Sequence, residues 1–303
     1  MEKRRELTIY IPAYNEEANI KYLLESFLTQ NIKSANLVEI IVESDNSIDK
    51  TVELSRSVKD SRIRVIDNKV RKGKSGLQNN IVKHINTDLL FIADADILPV
   101  GSHFLENLII GILKKDNIAL VCPKLTPFRP SENFLESMLS MSQDFKNYVY
   151  SRINNGSNVY MCVGGARLFK KKLYSSMVWD SSCPEDAFSY FECLNKGFDF
   201  AFVRESAVIC KMPTTLLDHF KRSSRFFYGQ KHLRRAYDKK FLSKHYRISP
   251  FIFLKGLLKF FLMHPIKLSV YSVLVIFVRL FLSNEVPNYS LWDISASTKR
   301  IIK

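Results

Sequence analysis

Apolar runs alternate with segments of helical periodicity through the first hundred residues. Residues 16–29, 49–58 and 74–85 space their apolar positions as an amphipathic helix does. The runs between them predict strands at Leu7–Ile11, Leu37–Val42, Ile63–Ile66 and Leu89–Ala93. Strands and helices that alternate at this spacing form βαβ units. The pattern therefore predicts an α/β fold with a mostly parallel, Rossmann-like sheet flanked by helices.

The same signals continue less regularly to about residue 215. Helices are predicted at Ser131–Tyr150 and Pro184–Asn195, and strands at Ile118–Cys122, Val159–Val163, Phe200–Val203 and Ala207–Cys210. The composition changes after Pro213. We therefore expect an α/β domain over residues 1–215, in halves of about 1–100 and 101–215. A basic helical segment over 216–250 and an apolar helical C-terminus over 251–303 would follow it.

Positive charge is concentrated in the second half of the chain. The net charge is +15, yet residues 1–150 carry 20 Lys/Arg and 20 Asp/Glu, whereas residues 151–303 carry 25 and 10. Asp238 is the single acid among ten basic residues between His219 and Arg247. Such an excess favours phosphate, nucleic acid or anionic lipid as a partner.

Two apolar stretches follow the basic segment, at Phe251–Met263 and Ile266–Leu282, and basic residues interrupt both. A membrane span needs about 20 predominantly apolar residues, which neither stretch supplies cleanly. Lys255 and Lys259 lie one turn apart beside Phe and Leu, which is typical of a helix in the membrane interface. The alternative is a buried pair of helices. We expect membrane association, and one spanning segment stays open.

The N-terminal domain is expected on the cytoplasmic side. Five widely spaced cysteines without a Cys-x-x-Cys pair indicate reduced core residues. The apolar run that ends at Pro12 is too short for the hydrophobic region of a signal peptide.

Two carboxylates, Asp94 and Asp96, directly follow the apolar run Leu89–Ala93. Ligands of open α/β sheets bind beyond the carboxyl ends of the strands, where carboxylates at i and i+2 can share a divalent cation with phosphate oxygens. The spacing by itself favours an aspartate that caps the next helix. Other segments must therefore distinguish a metal site from a cap.

Three further segments follow predicted strands at the same edge. They are Pro12-Ala13-Tyr14-Asn15-Glu16, the run from Ser44 to Thr51, and Arg71-Lys72-Gly73-Lys74-Ser75-Gly76. Asp45 can accept hydrogen bonds from a base or ribose, and the third segment is a basic loop at a helix start, where phosphate binds. That loop lacks the pattern Gly-x-x-x-x-Gly-Lys-Ser/Thr, which argues against a P-loop nucleotidase.

Taken in order, the segments resemble a glycosyltransferase of family 2 with the nucleotide-diphospho-sugar transferase (GT-A) fold. The resemblance extends from residue 7 to about 230. The matching segments are the Pro-Ala-Tyr-Asn-Glu turn, the Ser-Asp-Asn-Ser-x-Asp-x-Thr run, Gly73-Lys74, the Asp-x-Asp, Gly164-Gly165-Ala166 and Pro184-Glu185-Asp186. It implies that residues 1–100 bind the nucleotide and residues 101–215 bind the acceptor.

The resemblance also implies a role for each matched residue. Asp96 would bind Mn²⁺ or Mg²⁺, and Asp186 would be the general base of an inverting transfer. Gly164, Gly165 and Glu185 would lie on the acceptor side. The donor nucleotide would be held by Pro12, Ala13, Tyr14, Glu16, Asp45, Lys74, Asp94 and Arg225.

Several positions depart from the family's patterns. Arg222 and Phe226 stand where polymerising members have the Gln and Trp of Gln-x-x-Arg-Trp, which argues against processive synthesis. Ser44 stands where many members have an aspartate. Ile97-Leu98-Pro99 lacks the Gln-His-Pro of polyprenyl-phosphate mannosyl synthases.

The resemblance implies an inverting, metal-dependent transferase at the cytoplasmic face of the membrane. It would move a sugar from a UDP-, GDP- or dTDP-sugar to a lipid-linked or cell-surface glycan, such as exopolysaccharide, lipopolysaccharide or glycolipid. One alternative is a sugar-phosphate nucleotidyltransferase, although residues 12–20 lack its glycine-rich signature. Another is a basic nucleic-acid- or membrane-binding protein without transferase activity. The apolar stretches favour a membrane partner, so we expect no nucleic acid.

Overall fold

The computed structural model describes residues 4–282 and 296–301, and the strands of those residues form one eight-stranded sheet. The strands are β1 Arg5–Ala13, β2 Ala35–Ser44, β3 Ile63–Asp67, β4 Leu89–Ala93, β5 Ile97–Pro99, β6 Ile118–Pro127, β7 Ala166–Lys170 and β8 Asp199–Cys210. The helices are α1 Ile20–Leu28, α2 Thr51–Ser57, α3 Gly73–Ile81, α4 Phe104–Leu113, α5 Phe134–Tyr150, α6 Lys171–Tyr174, α7 Glu185–Asn195, α8 Leu216–Ala236, α9 Lys239–His245, α10 Pro250–Met263 and α11 Pro265–Phe277.

The sheet has the strand order β3-β2-β1-β4-β7-β6-β8-β5. Strands β3, β2, β1 and β4 are mutually parallel, and β6 is parallel to β8. Strand β7 is antiparallel to β4 and β6, and β5 is antiparallel to β8. The predicted mostly parallel α/β fold is therefore confirmed, and the four parallel strands bring their carboxyl ends to one edge.

Both faces of the sheet are buried. On β1, Leu7, Ile9 and Ile11 pack in a core on one face. Tyr10 and, on β4, Ile92 pack in a second core on the other face. Because successive side chains of a strand point to opposite faces, burial on both sides requires a continuous apolar run. This is the pattern that the first hundred residues show.

One predicted strand is wrong. Val159–Val163 forms no strand: Val159–Met161 is a 3-10 turn, and the Asn158 side chain accepts a 3.1 Å hydrogen bond from the Tyr160 amide at its start. The strand of this region is β7, which begins after Gly165 instead of ending before Gly164. Val159 and Met161 are buried in the core, and a short apolar run does not distinguish a buried turn from a buried strand.

Other elements also differ from the prediction, and the short elements β5 and α6 were not predicted. Helix α4 had no sequence signal, and the two predicted closing strands are the single strand β8. The pairing of β8 with β6 shifts register, since Val203 lies opposite Pro123 while Ala207 lies opposite Lys124. The extra residues of β8 form a bulge that separates the two apolar runs seen in the sequence.

The predicted C-terminal helices are present and pack on α5. The Phe145 ring contacts those of Phe253 and Phe260 edge-on, both with centroids 5.6 Å away, and Lys267 Nζ donates to Ser137 Oγ at 2.7 Å. No helix in the part of the chain that the structure describes has the length and hydrophobicity of a membrane span. Residues 283–295 and 302–303 of the predicted membrane-associated segment lie outside the described residues.

Candidate active site

A cleft of about 840 Å³ opens at the edge where the parallel strands end. Every residue that the sequence singled out for a site lies on its wall. They are Pro12, Ala13, Tyr14, Glu16, Asp45, Lys74, Asp94, Asp96, Gly164, Gly165, Glu185, Asp186 and Arg225. The fold thus brings together residues from segments that are up to 213 positions apart, since Pro12 and Arg225 share one cleft. Their individual roles stay predictions.

The turn after β1 is built jointly with the turn after β2. Asn15 adopts the left-handed backbone conformation, with φ of 54°, which asparagine tolerates better than most residues. Its Oδ1 accepts from the Ile48 amide at 2.9 Å, and its own amide donates to Ser47 Oγ at 3.1 Å. The Glu16 amide donates to Thr51 Oγ1 at 2.7 Å. These bonds hold Tyr14 and Glu16 at the cleft.

Asp45 positions the basic loop before α3. Its Oδ1 accepts from the Lys72 amide at 2.6 Å, and its Oδ2 accepts from the Gly73 amide at 3.1 Å. The loop in turn places the Arg71 guanidinium over the Tyr14 ring, 3.8 Å from its centre. Sequence reasoning assigned Arg71 no role of its own, although the basic loop was noted as a phosphate-binding candidate.

Lys74 joins Asp94, which follows β4, to Glu185 at the start of α7. Its Nζ lies 2.5 Å from Asp94 Oδ1 and 2.9 Å from Glu185 Oε1. Burial would lower the pKa of Lys74, but the two carboxylates raise it above its ordinary value. Burial would likewise raise the pKa of Glu185, yet Lys74 and Arg167 hold it at about 2. Glu185 is therefore an ionised structural partner of Lys74.

Glu16 is buried close to another carboxylate. Burial and the charge of Asp96 raise the pKa of Glu16 to about 8. Lys299 opposes this shift, because its Nζ lies 2.5 Å from Glu16 Oε1. Sequence reasoning missed Lys299, which no local motif connects to the turn after β1.

Asp186 lies near Gly164 and Gly165, where no side chain covers the backbone. Burial and the neighbouring Glu185 raise its pKa, so its carboxylate is more basic than that of an ordinary aspartate. A Cβ added to Gly164 would lie 3.6 Å from Asp186 Oδ2, and one added to Gly165 would lie 3.1 Å from Ile97 Cγ2. The Asp94 amide donates to the Gly165 carbonyl at 2.9 Å. The glycine pair therefore lies between the Asp-x-Asp and Asp186.

Arg167 is a buried cation behind the site that sequence reasoning missed. It lies on β7 with no exposed surface. Its Nη1 donates to the Glu185 carbonyl at 2.7 Å and to Ser189 Oγ at 2.8 Å. Both acceptors belong to the first turns of α7, so Arg167 fixes the start of the helix that carries Asp186.

The far end of the cleft changes from basic to apolar. Helix α8 contributes His219, Arg222 and Arg225 to the wall, and α11 contributes Tyr271 and Val275. Burial and nearby cations lower the pKa of His219 to about 4, so this imidazole is neutral at physiological pH. A ligand that filled the cleft would thus contact both carboxylates and apolar side chains.

The predicted metal ligand Asp96 lies on the wall of the cleft. Among residues 4–282 and 296–301, no three His, Cys, Asp or Glu side chains gather into a group that could hold a metal ion. Asp96 and Glu16 are nonetheless close enough for the charge of one to raise the pKa of the other. A cation at Asp96 would reduce this repulsion, which is compatible with the predicted role of Asp96.

Comparison with known proteins gives the same assignment for the fold. The structure resembles a mannosyltransferase from Pyrobaculum calidifontis solved in complex with GDP-Man and Mn²⁺, with a TM-score of 0.60 and 16% identity over 95% of this chain and 78% of that chain. The expected GT-A fold is thus confirmed.

Curated relatives match a little more than half of the chain. The 4,4'-diaponeurosporenoate glycosyltransferase of Staphylococcus aureus strain bovine RF122 / ET3-1 is 28% identical over 175 residues, which are 56% of this chain and 45% of that protein. The same enzyme from strain USA300 is 28% identical over 173 residues, 55% of this chain and 44% of that protein. The match therefore spans less than half the length of these relatives.

The family model described as Glycosyl transferase family 2 matches residues 8–177. This range is more than half of the chain and contains the turn after β1, Asp45, the Asp-x-Asp and the glycine pair. The chain therefore belongs to glycosyl transferase family 2.

Proposed function

We propose that this protein transfers a sugar from a nucleotide-diphosphate donor to a hydroxyl of a lipid-linked or cell-surface glycan acceptor, with inversion, at the cytoplasmic face of a membrane. The observation that carries the proposal is one cleft with two chemically different carboxylate sites. The Asp-x-Asp lies beside a basic loop, and the more basic Asp186 lies across the glycine pair from it.

The donor side suits a nucleoside diphosphate. Tyr14, already stacked against Arg71, offers an aromatic face for a base, and Lys72 and Gly73 begin a helix whose N-terminus attracts phosphate. The mannosyltransferase with the same fold was solved with GDP-Man and Mn²⁺, which supports a nucleotide-sugar donor for this chain. Lys74 keeps Asp94 oriented toward that donor.

Asp186 is the proposed general base. Its carboxylate accepts the proton of the acceptor hydroxyl while the hydroxyl oxygen bonds to the anomeric carbon. The bond from that carbon to the diphosphate breaks at the same time, and the nucleoside diphosphate leaves from the opposite face. A single displacement of this kind inverts the anomeric configuration. The raised pKa of Asp186 favours proton capture.

Asp96 is the proposed protein ligand of Mn²⁺ or Mg²⁺. When bound there with the diphosphate, the ion neutralises negative charge that develops on the leaving group. Glu16 lies close enough to Asp96 for burial and the Asp96 charge to raise the pKa of Glu16, and a cation at Asp96 would reduce that repulsion. A thermal shift with Mn²⁺ and GDP or UDP that disappears in Asp96→Ala would support this assignment without an activity measurement, and an unchanged shift would refute it.

The exposed faces of α10 and α11 support a membrane as the site of transfer. Their outer side chains are large and apolar, and they include Phe251, Leu254, Leu258, Leu262, Ile266 and Val273, each at least 60% exposed. Exposed cations of α8 and α9, such as Arg234, Arg235 and Lys240, adjoin them in sequence and complement anionic lipid. The apolar end of the cleft at Tyr271 and Val275 belongs to the same helix pair.

Flotation with phosphatidylglycerol-containing liposomes tests the membrane assignment. Leu258→Asp and Leu262→Asp together are expected to reduce bound protein several-fold, whereas Val178→Asp changes an equally exposed apolar residue away from these helices. Equal flotation of all three proteins would refute the assignment. Stronger binding to RNA or DNA than to liposomes at the same salt would favour the nucleic-acid alternative.

The transfer reaction is tested with the full-length protein, a membrane lipid extract, Mn²⁺ and a UDP-, GDP- or dTDP-sugar. Release of a nucleoside diphosphate is expected, and Asp186→Asn should lower its rate by on the order of 10²-fold or more. Asp199→Asn is the control, because this exposed residue begins β8, whose other end reaches the cleft. Release of pyrophosphate would indicate nucleotidyl transfer instead, and an intact rate in Asp186→Asn would refute the proposed base.

A further inference from the structure

Residues 296–301 lie on the donor side of the cleft, and we call them the strap. Thr298 and Lys299 of the strap line the cleft together with Tyr14, Glu16 and Asp96. None of the sequence motifs predicts a role for this segment. Its contacts, however, are specific at both ends.

One end of the strap is anchored to the start of α8. The Ser297 hydroxyl and amide both donate to Asp218 Oδ2, at 2.5 and 3.0 Å. The Thr214 amide donates to Ser297 Oγ at 3.2 Å. Asp218 is in the first turn of the helix that carries Arg225. This end is therefore tied to the basic wall of the cleft.

The other end is anchored beside the donor turn. Asn19 Nδ2 donates to the Lys299 carbonyl at 2.6 Å, and Asn19 Oδ1 accepts from the Ile301 amide at 3.1 Å. Asn19 and Ile301 are both buried, with 1% of their surface exposed. A buried side-chain amide that satisfies two backbone groups is costly to leave unpaired. This anchor is thus a built contact between the strap and the turn before α1.

Between its anchors, the strap places an ammonium group on the donor turn. Lys299 Nζ donates to the Tyr14 carbonyl, to the Asn15 carbonyl at 3.1 Å and to Glu16 Oε1 at 2.5 Å. A lysine has three N–H donors, and all three bind this turn. Without the ammonium group, two backbone carbonyls of the turn and the buried Glu16 side chain would lose the donor that they share.

We propose that the strap closes the donor side of the cleft and that Lys299 is a positioning residue, which holds Tyr14, Asn15 and Glu16 in their donor-binding arrangement. The proposal rests on the donor assignment made above. Because the strap spans from the turn after β1 to the start of α8, it also links the donor turn to the helix of Arg225.

Hydrogen exchange of the full-length protein without nucleotide tests the contact itself. Lys299→Met is expected to raise the exchange rates of amides 14–16 roughly tenfold, as for loss of a hydrogen bond to a charged group. Ser297→Ala weakens the other anchor and should change the same amides in the same direction. Arg300→Met is the matched control, because it removes an exposed cation next to Lys299. Unchanged exchange in Lys299→Met would overturn the proposal.

Titration calorimetry with GDP and with UDP, each with Mn²⁺, tests the consequence for donor binding. For the nucleotide that the wild-type protein binds, Lys299→Met is expected to raise Kd roughly tenfold. In transfer assays, KM for the donor should rise by a similar factor while kcat changes less than about twofold. An unchanged or lower Kd would overturn the proposal, since a lower value means that the strap obstructs the donor. A wild-type protein that binds neither of these nucleotides nor dTDP would refute the donor assignment itself.

Discussion

Substitution of Lys74 by methionine should destabilise the protein while preserving the size of the side chain. Lys74 is the shared cation of Asp94 and Glu185, which approach it to 2.5 and 2.9 Å. Glu185 has a pKa of about 2 instead of 4.5, and each pKa unit corresponds to 1.36 kcal/mol, so the ionised form is stabilised by about 3 kcal/mol. Removal of one partner from a buried ion pair costs about 3–5 kcal/mol. We therefore expect Lys74→Met to lower the free energy of unfolding by about 3 kcal/mol at pH 7.

The loss of unfolding free energy in Lys74→Met should be larger at pH 7 than at low pH. Because the pKa of Glu185 is depressed in the folded protein, its stabilisation is present above the unfolded value of 4.5 and is lost as the pH falls toward 2. In Lys74→Met, Asp94 would also lose its cation, and protonation at low pH would relieve that cost. The difference in unfolding free energy between wild type and variant should therefore shrink between about pH 5 and pH 2.

Urea unfolding followed by circular dichroism measures the effect. Lys72→Met is the control, since the exposed Lys72 Nζ donates only to Asn68 Oδ1 at 3.0 Å among the contacts of the described chain. In a Glu185→Gln background, Lys74→Met should cost at least about 1 kcal/mol less. A loss below about 1 kcal/mol at pH 7, or strictly additive effects in the double variant, would refute the view that Lys74 holds the two carboxylates together.

Three further predictions concern the base, its support and helix packing. Because burial and Glu185 raise the pKa of Asp186, the apparent pKa on the acidic side of the kcat–pH profile should lie above the ordinary aspartate value of 3.8. An apparent pKa at that value would contradict Asp186 as the general base. Arg167→Met should lower kcat by on the order of 10²-fold through misplacement of α7, with little change in donor KM. Arg204→Met, which removes a bond to the Ser151 carbonyl and a contact with the Phe202 ring, should keep wild-type kinetics. A methyl group at Gly229 would lie 2.3 Å from Pro184 Cγ, so Gly229→Ala should lower the free energy of unfolding by about 1–3 kcal/mol. A change within ~0.5 kcal/mol would show that α8 does not pack closely against Pro184.

The donor edge of the site was predictable because buried parallel strands appear in the sequence as apolar runs. Strands β1 and β4 are buried on both faces and appear as uninterrupted apolar runs, so their ends mark the turn before Glu16 and the Asp-x-Asp. Once the sheet is parallel, those ends must meet at one edge. The gathering of Tyr14, Asp45 and Asp94 thus followed from topology without any side-chain geometry.

The elements that escaped prediction lack such a signal. Strand β7 is only five residues long and contains a buried arginine, Arg167, whose partners lie on a helix 18 and 22 residues further along. Helix α4 is apolar at most of its positions, and a short apolar run does not by itself distinguish a helix from a strand. Lys299 reaches Glu16 across 283 positions of sequence. Contacts of this range depend on the assembled fold.

The pairing of β4 with β7 limits how this enzyme can be recombined with its relatives. Strand β4 lies between β1 and β7, and the bond from the Asp94 amide to the Gly165 carbonyl extends that pairing into the site. A chimera that exchanged donor specificity by grafting residues 1–100 would replace one side of this ladder and leave the other. The smallest interchangeable unit therefore extends through Lys170, so that β7 is transferred together with β4, the strand with which it pairs.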